Sequence, residues 1–165
     1  MSGRGKAFCA GYDLTAFANE KNNSLTQKMP WDPIKDYRFM WQNNEHFMSL
    51  FNCLKPVICK IHGIGALAGG SDIALCSDFI FMENEAKIGY MPTRVWGTPT
   101  TALWMYRLGP EKAKRMLFTG DKITGAEAEK LGLILKAASK EALDDEVDSF
   151  AMRMTTVPQN QLAMQ

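Results

Sequence analysis

Two short apolar runs frame a stretch of chain that is rich in glycine and small residues. Residues 57–61 and 79–82 are dominated by β-branched and aromatic side chains, which is typical of strands buried in a sheet. After the glycine-rich turn between them, a helix is predicted over about 70–77, because Ser71 and Asp72 suit a helix N-terminus. The succession of strand, turn, helix and strand predicts an α/β fold.

Helical periodicity recurs on both sides of this unit. Apolar residues at helical spacing predict an amphipathic helix over 37–54, whereas residues 15–36 are polar, contain two prolines and predict a surface loop. Thr124 and Glu127 have the spacing of a capping box, so a helix is expected to begin at Thr124. The remaining predicted elements are helices at 99–106, 110–118 and 140–154, and a terminal strand at 132–135.

The composition fits one globular domain with a small partner. The chain has 165 residues, is 46% hydrophobic and carries a formal charge of +1, which favours neither a nucleic-acid surface nor an anionic membrane. No uncharged run approaches the roughly 18 residues that a membrane span needs, and no signal segment opens the chain, so a reducing, cytoplasmic location is expected. The cysteines lack metal-type spacing and are predicted to be reduced core residues: Cys9, Cys53, Cys59 and Cys76.

Two glycine-bearing motifs resemble those of a known family. Residues 8–14 read Phe-Cys-Ala-Gly-Tyr-Asp-Leu, and residues 62–78 form a glycine-rich turn followed by a short helical sequence. Both are similar to the signatures of the crotonase superfamily, the enoyl-CoA hydratase/isomerase family. Further segments resemble later landmarks of that family in the correct order: 86–92, 97–99, 117–128 and 132–133. The resemblance therefore covers residues 3 to about 135.

The resemblance implies a fold and an assembly. The expected fold is the α/β crotonase-like (ClpP/crotonase) spiral of β-β-α units, as a single domain over residues 1–165 that is incomplete at both ends. The opening strands of the family are expected before Gly3, because a glycine loop at that point would leave its sheet neighbours unpaired. The C-terminal helices are expected after Gln165. A full-length member is expected to form a homotrimer or homohexamer.

The resemblance also implies an oxyanion hole for an acyl-CoA or enoyl-CoA substrate. In the family, two backbone N–H groups hold the negative charge that develops on the thioester oxygen, and Ala10 and Gly69 match the two donor positions. No metal or redox cofactor is implied, since coenzyme A enters as part of the substrate. The residues expected to line the substrate site are Phe8, Cys9, Gly11, Tyr12, Asp13, Leu14, Ala68, Gly70, Pro92, Thr93, Arg94 and Trp96.

The chain departs from the family at two positions that usually hold catalytic glutamates. Asp72 replaces the first; it is predicted to act as a general base, or alternatively to be a helix-start residue that bonds to the backbone. Thr93 stands at the second position, so Asp72 is expected to work alone or with a different partner. Arg94, which follows, is a candidate ligand for a carboxylate or phosphate, or a solvated surface residue.

Other side chains that could transfer protons are predicted to be structural. Tyr12 and Trp96 are expected to form walls or to pack. His46 lies on the predicted amphipathic helix and His62 ends a predicted strand, so that core or structural roles are expected for both.

Enoyl-CoA hydration is the first predicted activity, with isomerisation or another CoA lyase reaction second, all within fatty acid metabolism. A non-catalytic acyl-CoA-binding relative stays open, because both glutamates are absent. A dinucleotide-binding domain also stays open, since residues 63–68 satisfy G-x-G-x-x-A and Glu83 or Glu85 lies about 20 residues further on. Against it, Asp72 would repel a bound pyrophosphate.

Overall fold

Six short strands form two three-stranded sheets in the computed structural model, which describes residues 1–13, 27, 29–95, 97–99 and 101–165. The strands are β1 (Ile58–Ile61), β2 (Gly65–Leu67), β3 (Phe79–Glu83), β4 (Lys87–Gly89), β5 (Lys122–Thr124) and β6 (Lys136–Ala138). The first sheet has the order β1-β3-β6 and is parallel throughout. In the second, β2 is parallel to β4, and β4 is antiparallel to β5. The first four strands therefore alternate between the sheets, as in a spiral of β-β-α units.

Helices connect and cover these strands. The α-helices of the described residues are α1 (Pro33–Phe51), α2 (Gly69–Leu75), α3 (Leu103–Leu108), α4 (Pro110–Thr119), α5 (Gly125–Leu131), α6 (Leu143–Met154) and α7 (Gln159–Met164). A 3₁₀ helix, Met91–Val95, follows β4. Among the described helices, none combines the length and the apolar character that a membrane crossing requires.

Local sequence sets several helix boundaries. The carboxylate of Asp32 accepts the N–H of Ile34, and Pro33 occupies the first turn, so α1 begins four residues before the predicted start at Tyr37. At α5 the predicted capping box is confirmed, because the Thr124 side chain accepts the N–H of Glu127 and the Glu127 carboxylate accepts the N–H of Thr124.

The main core lies between the two sheets and helices α2 to α5. Trp104 from α3, Met116 from α4, Ile61 from β1 and Ile88 from β4 are almost completely buried in it. By contrast, none of the residues of α1, all of which are described, is buried. The prediction of a core role for His46 on this helix is therefore wrong, because His46 is exposed.

Two other predictions need correction. The strand expected at 132–135 is wrong: Gly132 has a positive φ of 80°, the chain bends there, and β6 begins only at Lys136. The cysteines are all free thiols, yet only Cys59 and Cys76 are buried in the core. Cys53 is exposed because it follows α1, none of whose residues is buried, and Cys9 is partly buried on the N-terminal segment that pairs with β2.

Candidate active site

The bend at residues 8–11 is held against β2 by backbone hydrogen bonds. The N–H of Cys9 donates to the carbonyl of Gly65 over 3.2 Å, and the carbonyl of Cys9 accepts the N–H of Leu67 over 2.9 Å. The N-terminal segment thus continues the second sheet beside β2. This pairing brings the bend to the start of α2, which follows β2 directly.

Two glycines let the bend and the start of α2 touch. A β-carbon built on Gly11, whose φ is 104°, would lie 2.9 Å from Cβ of Ala68 and 3.5 Å from the nitrogen of Gly69. A β-carbon on Gly70 would lie 2.4 Å from the carbonyl oxygen of Cys9. Because real β-carbons do not approach so closely, this contact depends on glycine at both positions. The two motifs that resembled the family are in contact.

The N–H groups of Ala10 and Gly69 are the two predicted donors to the thioester oxygen. Among the hydrogen bonds between described residues outside regular helices and strands, neither group is a donor. Gly69 is the first residue of α2, so it has no intrahelical acceptor. Each N–H lies on one of the two contacting bends.

Ala68 turns the chain from β2 into α2 through an unusual backbone conformation. Its φ of 51° and ψ of −126° are rare for a residue with a β-carbon, and such conformations cost on the order of 1–3 kcal/mol. Its N–H donates to the carbonyl of Gly89 over 3.0 Å, and its carbonyl accepts both the N–H and the hydroxyl of Ser71. These bonds hold Gly69 in place.

Asp72 is a buried carboxyl group in the first turn of α2. Asp72 is 2% exposed, and its Oδ1 has no hydrogen-bond partner among the described residues. Burial raises the pKa of Asp72 to about 7. Asp72 follows Gly69 by three residues, so both lie on one face of the helix. Near neutral pH this carboxyl populates both protonation states, which suits a group that takes and returns a proton.

Two tyrosines lie close to Asp72. A β-carbon on Gly69 would lie 3.2 Å from Cε2 of Tyr12, so the ring packs over the donor position. Burial, and secondarily the charge of Asp72, raises the pKa of Tyr12. Burial raises the pKa of Tyr90 to about 12, with smaller effects from Asp72 and Tyr12. The Tyr90 hydroxyl donates to the carbonyl of Thr98 over 2.8 Å.

The opposite end of α2 is anchored by α3. Arg107 donates from Nε to the carbonyl of Leu75 over 2.8 Å and from Nη2 to the carbonyl of Ser77. A cation at a helix C-terminus satisfies terminal carbonyls and complements the helix dipole. A cleft of about 580 Å³ opens beside this end, away from the predicted site, and Ser77, Tyr106 and Arg107 are among its lining residues.

Thr93 and Arg94, at and directly after the family's second glutamate position, lie away from Asp72. Thr93 and Arg94 belong to the 3₁₀ helix and pack against Gly120, where a β-carbon would lie 2.9 Å from Cγ2 of Thr93 and 3.0 Å from Nε of Arg94. Arg94 forms an exposed ion pair with Asp121 at 3.5 Å. These contacts direct both side chains toward the end of α4, and the carboxyl of Asp72 has no second carboxylate from this position.

The other predicted lining residues lie in different parts of the structure. Phe8 packs against the core, and Cys9, Gly11, Tyr12, Ala68 and Gly70 surround the junction of the two bends. Asp13 is exposed, and the carbonyl of Pro92 accepts the N–H of Gly97 over 2.7 Å. Leu14 and Trp96 lie outside the described residues.

The sequence alone does not mark Tyr90 or Arg107 as residues near the candidate site. Tyr90 directly follows β4, a strand too short to give a recognisable alternation, so nothing local marked its side chain as buried. Arg107 is one of many basic residues in the chain, and its contact with α2 spans about 30 positions.

The dinucleotide-binding motif is not formed. Gly65 and the two residues after it are strand β2, so a strand separates the first glycines from the helix that a pyrophosphate turn would open. Glu83, one of the two acidic residues expected about 20 residues after the motif, accepts the N–H of Gly63 over 2.8 Å; the other is Glu85. Among the described residues, no group of three or more His, Cys, Asp or Glu side chains is placed to hold a metal ion.

Comparison with known proteins points to a single family. The model of the family described as enoyl-CoA hydratase/isomerase matches residues 1–165. A putative enoyl-CoA hydratase of Thermus thermophilus is 31% identical over 140 residues, which are 84% of this chain and 52% of that protein. The 1,2-epoxyphenylacetyl-CoA isomerase of Escherichia coli is 28% identical over 167 residues, covering 96% of this chain and 58% of that one.

A crystal structure of an enoyl-CoA hydratase from Mycobacterium smegmatis superposes with a TM-score of 0.87 and 45% identity. The match covers 99% of this chain and 57% of that one. The chain thus spans slightly more than half the length of each of these three proteins.

Proposed function

Because the chain belongs to the enoyl-CoA hydratase/isomerase family, we propose that the protein binds an acyl-CoA thioester and stabilises its enolate. The thioester oxygen is held by the N–H groups of Ala10 and Gly69, and Asp72 transfers the proton. The substrate supplies coenzyme A, and the reaction needs no other cofactor. The full-length protein assembles as a homotrimer or homohexamer.

The observation that carries this proposal is the position of Asp72 relative to the two bends. A buried carboxyl with a pKa of about 7 lies in the same helical turn as Gly69, whose nitrogen meets the bend of Ala10 and Gly11. Proton transfer beside a thioester puts negative charge on the carbonyl oxygen, and fixed N–H donors stabilise that charge. This proximity supports the proposal, because enolate chemistry requires N–H donors and a base at one site.

Two reactions fit this arrangement. Hydration is the first candidate, since relatives of the chain, including the Thermus thermophilus protein, carry the name enoyl-CoA hydratase. Isomerisation is the second, and it is favoured by Asp72, the one buried carboxyl among the described residues, because one base that moves a proton between carbons can shift a double bond. The position of Thr93 against Gly120 supports this second candidate.

The test is to incubate the full-length protein with a panel of 2-enoyl-CoA and 3-enoyl-CoA thioesters and to follow water addition and double-bond migration separately. The proposal expects turnover in at least one assay. A protein that binds these thioesters but catalyses neither reaction nor exchange of α protons with solvent would instead be a non-catalytic relative.

A further inference from the structure

The hydroxyl of Ser71 is bonded to the peptide group that carries the proposed donor of Gly69. Ser71 lies in the first turn of α2 and is completely buried. Its hydroxyl donates to the carbonyl oxygen of Ala68 over 2.6 Å, and its N–H donates to the same oxygen over 2.9 Å. That oxygen and the N–H of Gly69 belong to one peptide group. Ser71 therefore holds the donor peptide from its oxygen side.

Fixing the oxygen of this peptide group also fixes the direction of its N–H. A peptide group is planar, and in the trans form its C=O and N–H bonds point in opposite directions. The bond between Ala68 and Gly69 is trans. The N–H of Ala68 donates to the carbonyl of Gly89, the last residue of β4, over 3.0 Å. The donor peptide thus lies between one bond to the sheet and two bonds from Ser71.

The backbone on either side of this peptide group favours a different orientation. Ala68 has a φ of 51° and a ψ of −126°, whereas the nearby allowed conformation for a residue with a β-carbon is the left-handed helical one, with a ψ of about 47°. Reaching it requires a rotation of about 170° in ψ, which would reverse the peptide group. Gly69 offers little resistance, because without a β-carbon its φ can change to compensate. Reversal would put an oxygen where the N–H now points.

We propose that Ser71 is a positioning residue, whose hydroxyl keeps the Ala68–Gly69 peptide group oriented so that the Gly69 N–H meets the thioester oxygen. This inference rests on the proposed function and deepens it, because it assigns a side chain to one of the two backbone donors. A hydrogen bond to the peptide oxygen also polarises the group and strengthens its N–H as a donor. Ser71 itself transfers no proton and acts only through this peptide group.

The test is Ser71→Ala in the full-length protein, which removes the hydroxyl bond and keeps the bond from the N–H. Alanine is smaller and favours helix, so the variant should fold. Exchange of the α protons of an acyl-CoA with deuterated water should slow by about 10- to 100-fold, less than the roughly 10²- to 10³-fold loss when a donor is removed outright.

The infrared carbonyl stretch of a bound acyl-CoA, isotope-labelled at the thioester carbon, reports on the donors themselves. Hydrogen bonds to a carbonyl lower its stretching frequency, so binding to the wild type should lower it. In Ser71→Ala the frequency should move back toward that of the free thioester. A loss of packing that leaves the donor peptide in place would not produce this shift.

Ser77→Ala is the matched control, because Ser77 is as buried as Ser71 but lies two residues past the opposite end of α2. Its exchange rate and carbonyl frequency should equal those of the wild type. Equal changes in the two variants would overturn the inference. A wild-type value of either quantity in Ser71→Ala would also overturn it and leave the proposed function standing. A wild-type protein that binds the acyl-CoA without lowering its carbonyl frequency, or without exchanging its α protons, would refute the proposed function itself.

Discussion

The backbone groups at the two ends of α2 are satisfied in different ways. At the C-terminal end, Arg107 donates to the carbonyls of Leu75 and Ser77. At the N-terminal end, the N–H of Gly69 donates to no described residue outside regular structure, and Ala68 holds a rare backbone conformation. The buried carboxyl of Asp72 adds to this end an oxygen that has no hydrogen-bond partner in the part of the chain that the structure describes. One end thus anchors the helix, and the other is the end at which we propose that the substrate binds.

The two ends of α2 are therefore expected to contribute differently to stability and to activity. Strain and unpaired buried groups lower stability, and they persist where the surrounding structure holds them in place. Here the anchoring comes from the pairing of β2 with the N-terminal bend and from Arg107 at the far end. Substitutions at the N-terminal end should therefore change activity more than stability, and substitutions at Arg107 should do the reverse.

The largest expected effect is the loss of activity in Asp72→Asn. An amide cannot accept the proton, so the rate of α-proton exchange should fall by about 10²- to 10⁴-fold in the full-length protein. The measurement is single-turnover exchange in deuterated water with saturating acyl-CoA. Wild-type exchange in this variant would show that Asp72 is only a helix-start residue.

The same substitution should alter how stability depends on pH. A pKa raised from 3.8 to about 7 favours the protonated carboxyl in the folded state, so its contribution is fully present below pH 3.8 and is lost as the pH rises through 7. The free energy of unfolding of Asp72→Asn, minus that of the wild type, should therefore increase by up to about 4 kcal/mol between pH 3.8 and 8. Urea unfolding at several pH values measures it. A difference that does not change with pH would mean that the Asp72 carboxylate is solvated.

Arg107→Gln should mainly reduce stability. Loss of two charge-assisted hydrogen bonds to carbonyls at the end of α2 should lower the free energy of unfolding by about 3 kcal/mol. Arg94→Gln is the matched control, because its ion pair with Asp121 is exposed and should be worth less than about 1 kcal/mol. Equal losses in the two variants would remove the anchoring role of Arg107.

The smallest expected effects are the losses of stability when either of two neighbouring glycines is replaced by alanine. Gly70→Ala places a methyl group 2.4 Å from the Cys9 carbonyl oxygen, so it should cost about 2 kcal/mol and separate the two bends. Gly69→Ala meets only the Tyr12 ring at 3.2 Å, which can shift, so its cost should stay below about 1 kcal/mol. Thermal unfolding of both variants checks this order. Gly69→Ala as the more destabilising variant would contradict the described contact between the bends.

Features that depend on a few adjacent residues could be predicted from the sequence. The capping box of Thr124 and Glu127 lies within four residues, and the apolar runs that became β1 and β3 are continuous. Strands β2, β4 and β5 have three residues each and carry no alternation of their own, so only pairing in the folded chain defines them. The apolar residues 133–135 were predicted as a strand although the chain bends there.

The candidate site likewise combines features that adjacent residues predict with features that only the folded chain defines. The motifs marked Ala10, Gly69 and Asp72 as candidates, but the raised pKa of Asp72 depends on burial by elements distant in sequence. The position of Tyr12 over Gly69 joins residues 57 positions apart, which no local pattern encodes. Tertiary packing therefore decides which of the predicted residues can act together.

The proposed oxyanion hole is tested most directly by a crystal structure of the full-length protein with a non-reactive acyl-CoA analogue bound. We expect the nitrogens of Ala10 and Gly69 both to lie about 3 Å from the thioester oxygen, with the Asp72 carboxyl beside the α-carbon. A thioester oxygen that contacts neither nitrogen, or two nitrogens that face different cavities, would contradict it.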